Sequence, residues 1–165
     1  MTIGLIIIAG VVAIFISQNK VQSGEAHRSE LLADLQLSSG IIQSELRQAQ
    51  DVYSCGNAVV YQPLDSTVAT TATCPVTVDA ANGAFKLIAA GASGCSTSNT
   101  GCICWDRPNQ GSGCQEMMRN IKASTGLNVT VDAYGVYTVT ITGQFNNAQH
   151  SLQDLAMGIH VWPRN

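Results

Sequence analysis

Six cysteines and three histidines are the residues of this chain best suited to chemistry. Cys55, Cys74, Cys95, Cys102, Cys104 and Cys114 all lie beyond an N-terminal helical tract. An even number in a small, loop-rich region behind an apolar N-terminal segment reads as a disulfide framework made in an oxidising compartment. Six cysteines allow about fifteen pairings. Cys102 and Cys104 sit two apart, so on a strand they share a face and call for different partners. The rival reading is a zinc site of Cys95, Cys102, Cys104 and Cys114. It is the weaker one, because the C-x2-C knuckle is missing and Cys102-Ile-Cys104 is too tight to replace it. His27 falls in a charged helical tract, and His160 alternates with Ile159 and Val161. Together with His150 they form no H-x-x-x-H or H-E-x-x-H spacing. No G-x-S-x-G, P-loop or dinucleotide fingerprint occurs, and paired cysteines cannot act as nucleophiles. Asp106-Arg-Pro-Asn-Gln-Gly111 reads as a surface turn. Asn128-Val-Thr130 matches the glycosylation acceptor pattern by chance, within a predicted strand. Trp105, Trp162 and the four tyrosines read as core and sheet residues. No enzyme, cofactor or metal is expected.

Charge excludes a second class of function. The formal net charge is −3, and charged residues make up 12% of the chain, well under the usual quarter. Residues 1–19 carry no charged or histidine side chain. From Asp51 onward Asp65, Asp79, Asp106, Glu116, Asp132 and Asp154 are set against Lys86, Arg107, Arg119, Lys122 and Arg164. This mildly acidic balance lacks the clustered Lys and Arg of a nucleic-acid footprint, so no nucleic-acid partner is expected for the domain as a whole.

What must position these residues starts with a helix. Residues 3–16 are continuously apolar, and with their neutral flanks they reach Asn19. That is about 28 Å of helix, enough to cross a bilayer core. No Lys or Arg precedes the run, and Ser17-Gln-Asn-Lys20 is a poor cleavage site, which argues against a removed signal peptide. Residues 21–50 contain no proline. Leu32, Leu35, Ser39, Ile42, Leu46 and Ala49 recur at spacings of three and four, widened by Leu31 and Ile41, with Glu, Arg and Gln opposite. One continuous rod of about 75 Å over residues 1–50 is predicted. Residues 1–19 form its membrane or assembly segment and residues 20–50 its amphipathic half. Such a rod cannot be the interior of a small globule, so its apolar half must meet lipid or other helices.

MTIGLIIIAGVVAIFISQNK at residues 1–20, leading into a charged helix that ends in ELRQA at residues 45–49, resembles the N-terminal helix of type IV pilin-like proteins. It looks most like the minor pilins of the PilW type and is similar to the minor pseudopilins of type II secretion. Arg164-Asn165 matches a chain ending common among the former. Position 5 is Leu5, and no basic leader, glycine–aromatic junction or early glutamate is present. The resemblance therefore implies a chain that begins several residues inside the helix. It also implies a structural subunit that waits in the bacterial inner membrane, domain outward, and joins a surface pilus or pilus-like assembly. Its partners would be other pilin subunits, met through Ile3, Leu5, Ile6, Ile7, Val11, Ile14, Phe15, Leu32, Leu35, Ile42 and Leu46. A secretion pseudopilin and a bitopic periplasmic binding or sensor protein are the alternatives. Gly4 and Gly10 permit close helix approach.

Residues 51–165 are expected to form an extracytoplasmic, β-rich domain. Strands are predicted at residues 58–62, 85–90, 102–105, 128–132, 136–142 and 158–162, the last stopped by Pro163. Ala133-Tyr-Gly135 reads as a hairpin turn with Gly135 at positive φ. A short helix is predicted over residues 115–123, closed by Gly126. The tracts at residues 64–74 and 91–101 are loops that cysteines can fasten. The expected fold is α+β: a long helix packed on a small antiparallel sheet with disulfides.

Overall fold

The computed structural model describes residues 2–64, 82–97, 99–108, 113–147 and 151–163, with side chains from Ile7 onward. Cys74, His150, the tract at 65–74, Arg164 and Asn165 lie outside these residues, as do the side chains of Ile3, Leu5 and Ile6. One helix, α1 (Thr2–Gln48), is followed by eight strands. These are β1 (Ala49–Ser54), β2 (Ala58–Pro63), β3 (Gly83–Ile88), β4 (Gly101–Asp106), β5 (Gln115–Ile121), β6 (Leu127–Val131), β7 (Tyr137–Asn146) and β8 (Leu152–Val161). All pairings are antiparallel, in the order β1-β2-β3-β4-β5-β7-β6, with β8 on β7. The fold is α+β.

The sheet curls around the C-terminal half of α1. On one edge β7 pairs first with β6, through Tyr137↔Val131 to Ile141↔Leu127, and then with β5 at Gly143↔Ile121. Its other edge is paired along its whole length with β8. Two bonds pull the far ends of the sheet together: Ser54 Oγ donates to the Val129 carbonyl at 3.2 Å, and Tyr137 Oη to the Val52 carbonyl at 2.6 Å. Into the resulting trough go Leu31, Leu35, Ile42 and Leu46, at most 4% exposed. They meet Val59, Phe85, Ile103, Met118, Ile121, Val139 and Ile141 in one core. Burying each leucine or isoleucine stabilises the fold by about 1.5–3 kcal/mol. Approach is closest at Gly143. A Cβ built there would lie 2.7 Å from Leu31 Cδ1, so a larger residue would require the Leu31 side chain to move.

Four expectations need correcting, the first being that Trp162 and Tyr134, expected in core or sheet, are 63% and 89% exposed and lie outside the strands. Leu32 is 39% exposed, because Leu31 takes the inward position one residue earlier. The helix stops at Gln48, and Ala49, expected as its last stripe residue, opens β1 while remaining buried. No glycine or proline marks that junction, and β1 itself was not foreseen. The helix predicted over residues 115–123 is strand β5. Gln, Glu, Met and Arg favour a helix by propensity, and the buried pair Met118 and Ile121 has helical spacing. That spacing comes from a bulge: Asn120 takes φ +56°, and the β4–β5 register shifts on either side of Ile103. Gly126 closes a tight turn rather than a helix, accepting the Thr142 amide at 2.8 Å. The expected turn at residues 133–135 is present, with Gly135 at φ +77° and the Asp132 carboxylate accepting the Tyr134 and Val136 amides.

Replacing Leu35 by alanine should lower the unfolding free energy by about 2–5 kcal/mol, the range for a large-to-small change in a packed core. Leu37→Ala, at a side chain 68% exposed, should change it by less than about 0.5 kcal/mol. Denaturant unfolding of both variants checks the pair, and equal effects would contradict the seat described here.

Candidate functional site

Among the described residues, the chemistry-bearing side chains separate into three places. The first is strand β4, whose neighbouring positions hold both described disulfides. Cys102 and Cys104 are fully buried and, as their spacing predicts, take different partners. Cys95 pairs with Cys102 and Cys104 with Cys114, with Cα–Cα separations of 5.7 and 5.4 Å. Cys55 is also disulfide-bonded, and no described cysteine is free. The four cysteines of the rival zinc reading are therefore consumed as two cystines, which have no thiolate to offer a metal. Among the described residues no group of three or more His, Cys, Asp or Glu could hold a metal ion.

The bridges pin the loops on either side of β4, and hydrogen bonds complete the first of these. Glu116 on β5 accepts the Ser96 amide at 2.5 Å and the Ser96 hydroxyl at 2.7 Å, and pairs with Arg119 at 2.5 Å. Burial alone would raise the Glu116 pKa, but the two Ser96 donors and Arg119 outweigh it and hold the carboxyl below its ordinary value. Thr97 donates to the Thr100 carbonyl, and Thr100 Oγ1 donates to Asn120 Oδ1, tying the loop to the β5 bulge.

The second place is an aromatic file under the helix. Tyr61, Phe85 and Trp105 lie on adjacent strands with ring centroids 5.5 and 5.6 Å apart, and the Arg107 guanidinium covers Trp105 at 4.1 Å. Trp105 Nε1 donates to Tyr61 Oη at 2.8 Å. Burial drives the Tyr61 phenol far above its ordinary range; the Trp105 bond acts the other way, and the Glu45 carboxylate on α1 adds to the rise. The neutral Tyr61 phenol is thus a packed hydrogen-bonding group. Gly83 leaves the space its ring fills. Lys86 and Asp106 pair beside the file at 2.9 Å. Asp106, expected in a surface turn, thus pairs with Lys86 of the neighbouring strand, and Arg107 covers Trp105 of strand β4.

The third place is the free half of α1. Ile7, Ile8, Val11, Val12, Ile14, Phe15 and Ile16 are 49–64% exposed, and Val21 is 52% exposed. Gly10 has nothing within 4 Å of a Cβ built upon it. Of the residues expected to work in assembly, Ile7, Val11, Ile14 and Phe15 are exposed here, whereas Leu35, Ile42 and Leu46 are committed to the chain's own core. Among the described residues no helix is both long and apolar enough to cross a membrane. The apolar run at residues 3–16 lies across the boundary of that statement, since described side chains start at Ile7. Where the helix leaves the sheet it is flanked by crevices that the sequence did not reveal. They are lined by His27 and its helix neighbours on one side and the β7–β8 hairpin on the other. His160 stands on exposed β8, its Nδ1 3.0 Å from Thr138 Oγ1. The chain matches no family model, no curated protein and no solved structure.

The Glu116 geometry has a definite acid signature. Its depressed pKa makes a stabilising contribution that is complete above the ordinary glutamate value near 4.5. That contribution disappears as pH falls through the lower folded value. Hydrogen exchange at the Ser96 amide should therefore lose protection in that acid window, and Glu116→Gln should weaken it at pH 7. Protection independent of both would contradict this role for Glu116.

Proposed function

We propose that this protein is a structural subunit of a filament of the type IV pilus kind, a minor pilin that helps to start, extend or decorate the assembly. The observation that carries the reading is the division of α1 into two fates. Its C-terminal half is the spine of a curled antiparallel sheet, and in its N-terminal half the described apolar side chains from Ile7 to Ile16 are about half or more exposed along a rod. A rod of that kind suits two apolar surroundings in turn, first the inner membrane and then the helices of neighbouring subunits. Exchange between them carries little hydrophobic cost, because lipid tails and aliphatic side chains are about equally apolar. Oxidised cysteines on the projecting domain agree with a location outside the cytoplasm. The working surfaces in this reading are the exposed side chains Ile7, Val11, Ile14 and Phe15, with the fastened β4 loops facing outward.

The test is made in the native host. Mass spectrometry of filaments sheared from its surface should detect this chain. Val11→Lys or Ile14→Lys, which put a charge on the rod at a cost of about 2.5–3.5 kcal/mol in an apolar surrounding, should remove it from the filaments while the domain stays folded and oxidised. A chain that stays in the membrane and is absent from sheared filaments would instead be a bitopic binding or sensor protein.

A further inference from the structure

The crevice where α1 emerges from the domain has a composition that the assembly reading does not use. It measures about 330 Å³. Its helix wall consists of Ile16, Asn19, Lys20, Ser23 and His27, which recur at three- and four-residue steps and so stand on one side of α1. The opposite wall is the end of the β7–β8 hairpin, Asn146 and Asn147. One wall residue is apolar, at the end of the uncharged run; every other one carries a hydrogen-bond donor. None is acidic. Acidic groups lie outside its lining: Glu30 and Asp34 line the adjoining crevice, which shares His27 and Asn146 with this one, and Glu25 lines a third crevice together with Arg28.

We propose that this crevice binds the phosphate of an anionic phospholipid. Lys20 is the first charged residue of the chain, so a bilayer holding the uncharged run ends at the level of Ile16 to Lys20. The crevice opens at that depth. Lys20 Nζ supplies the counter-charge, His27 and Ser23 donate from one wall, and the Asn146 side-chain amide donates from the other. A phosphate diester presents acceptor oxygens only and is matched by such a set. Its acyl chains leave past Ile16 and Phe15, along the exposed rod. Glu30 and Asp34 repel the anion from the next crevice, which fixes its position at the membrane end. The bound headgroup would also join helix to hairpin at the one point where the domain meets the bilayer. The inference rests on the membrane reading of the apolar rod and adds to it a ligand of stated chemistry.

The test uses the full chain reconstituted in vesicles of phosphatidylcholine alone and of phosphatidylcholine with phosphatidylglycerol. Insertion is read by resistance to alkaline extraction. Retained lipid is counted by native mass spectrometry after transfer to detergent. Insertion into both kinds of vesicle is expected, with one phosphatidylglycerol kept per chain. Lys20→Gln combined with His27→Gln should lower that retention about tenfold or more, two charge-assisted bonds being lost, without affecting insertion. Both residues are exposed, so the fold should survive, and Lys20→Glu gives a second variant with the same expected loss. Equal retention by the variants, or equal retention of the two lipids, would overturn the assignment. So would release of the lipid by millimolar inorganic phosphate, which would mark the site as one for free phosphate. A chain that enters neither kind of vesicle would instead sink the membrane reading, and the lipid assignment with it.

Discussion

The molecule depends on a single fit between one side of a helix and the hollow of one sheet. Among the described residues Leu31, Leu35, Ile42 and Leu46 are the large apolar side chains of α1 that are buried, and they meet residues drawn from almost every strand. A small domain has little interior to spare, because the fraction of surface removed from water falls with chain length. Without the helix the sheet would present an uncovered apolar trough. Without the trough the second half of α1 would be a solvated helix with a greasy stripe. The covalent links do not substitute for this fit. Each described bridge fastens a loop to β4 across a short stretch of chain, seven and ten residues apart. They hold the surface in shape and leave the helix–sheet union to packing.

That division of labour explains why the chemistry is so quiet. The polar groups under the helix are spent on one another: Trp105 on Tyr61, Lys86 on Asp106, Tyr137 on the Val52 carbonyl. Among the described residues no buried side-chain polar atom is left without a partner. A satisfied interior gives a single well-defined domain. What remains reactive in the broader sense is outside. It consists of an apolar rod, a fastened polar loop and the donor-lined crevice between rod and hairpin.

Much of this was legible before any coordinates, and the failures have physical reasons. The helix was readable because its stripe repeats for five turns without a proline. Strands β6 and β7 were readable because Val, Thr, Tyr and Ile alternate there around an Asp-Ala-Tyr-Gly turn. The pairing preference of Cys102 and Cys104 followed from strand geometry alone. Strand β5 was misread because the Asn120 bulge turned a two-residue period into a three-residue one, and Met and Glu completed the helical disguise. Strand β1 escaped notice because Ala49 satisfies the helical stripe and the strand's first position equally well. Leu31 and Leu32 are adjacent apolar residues at the rim of the stripe, and only the low seat at Gly143 decides between them. The crevice beside Lys20 was invisible for another reason: Asn146 and Asn147 lie more than a hundred residues from Lys20 and have no pattern of their own.

The seating of α1 also has a mechanical meaning. Leu31 rests at Gly143, Ser39 Oγ reaches Met157 Sδ at 3.2 Å, and Ile42 and Leu46 lie deeper in the same trough. The contacts are strung along the helix axis over about four turns. A tug on the projecting end therefore loads all of them in parallel, as a glued lap joint is loaded in shear. A sideways push would instead open the joint from Leu31 inward, one contact after another. The joint therefore resists a pull along the helix better than a push across it.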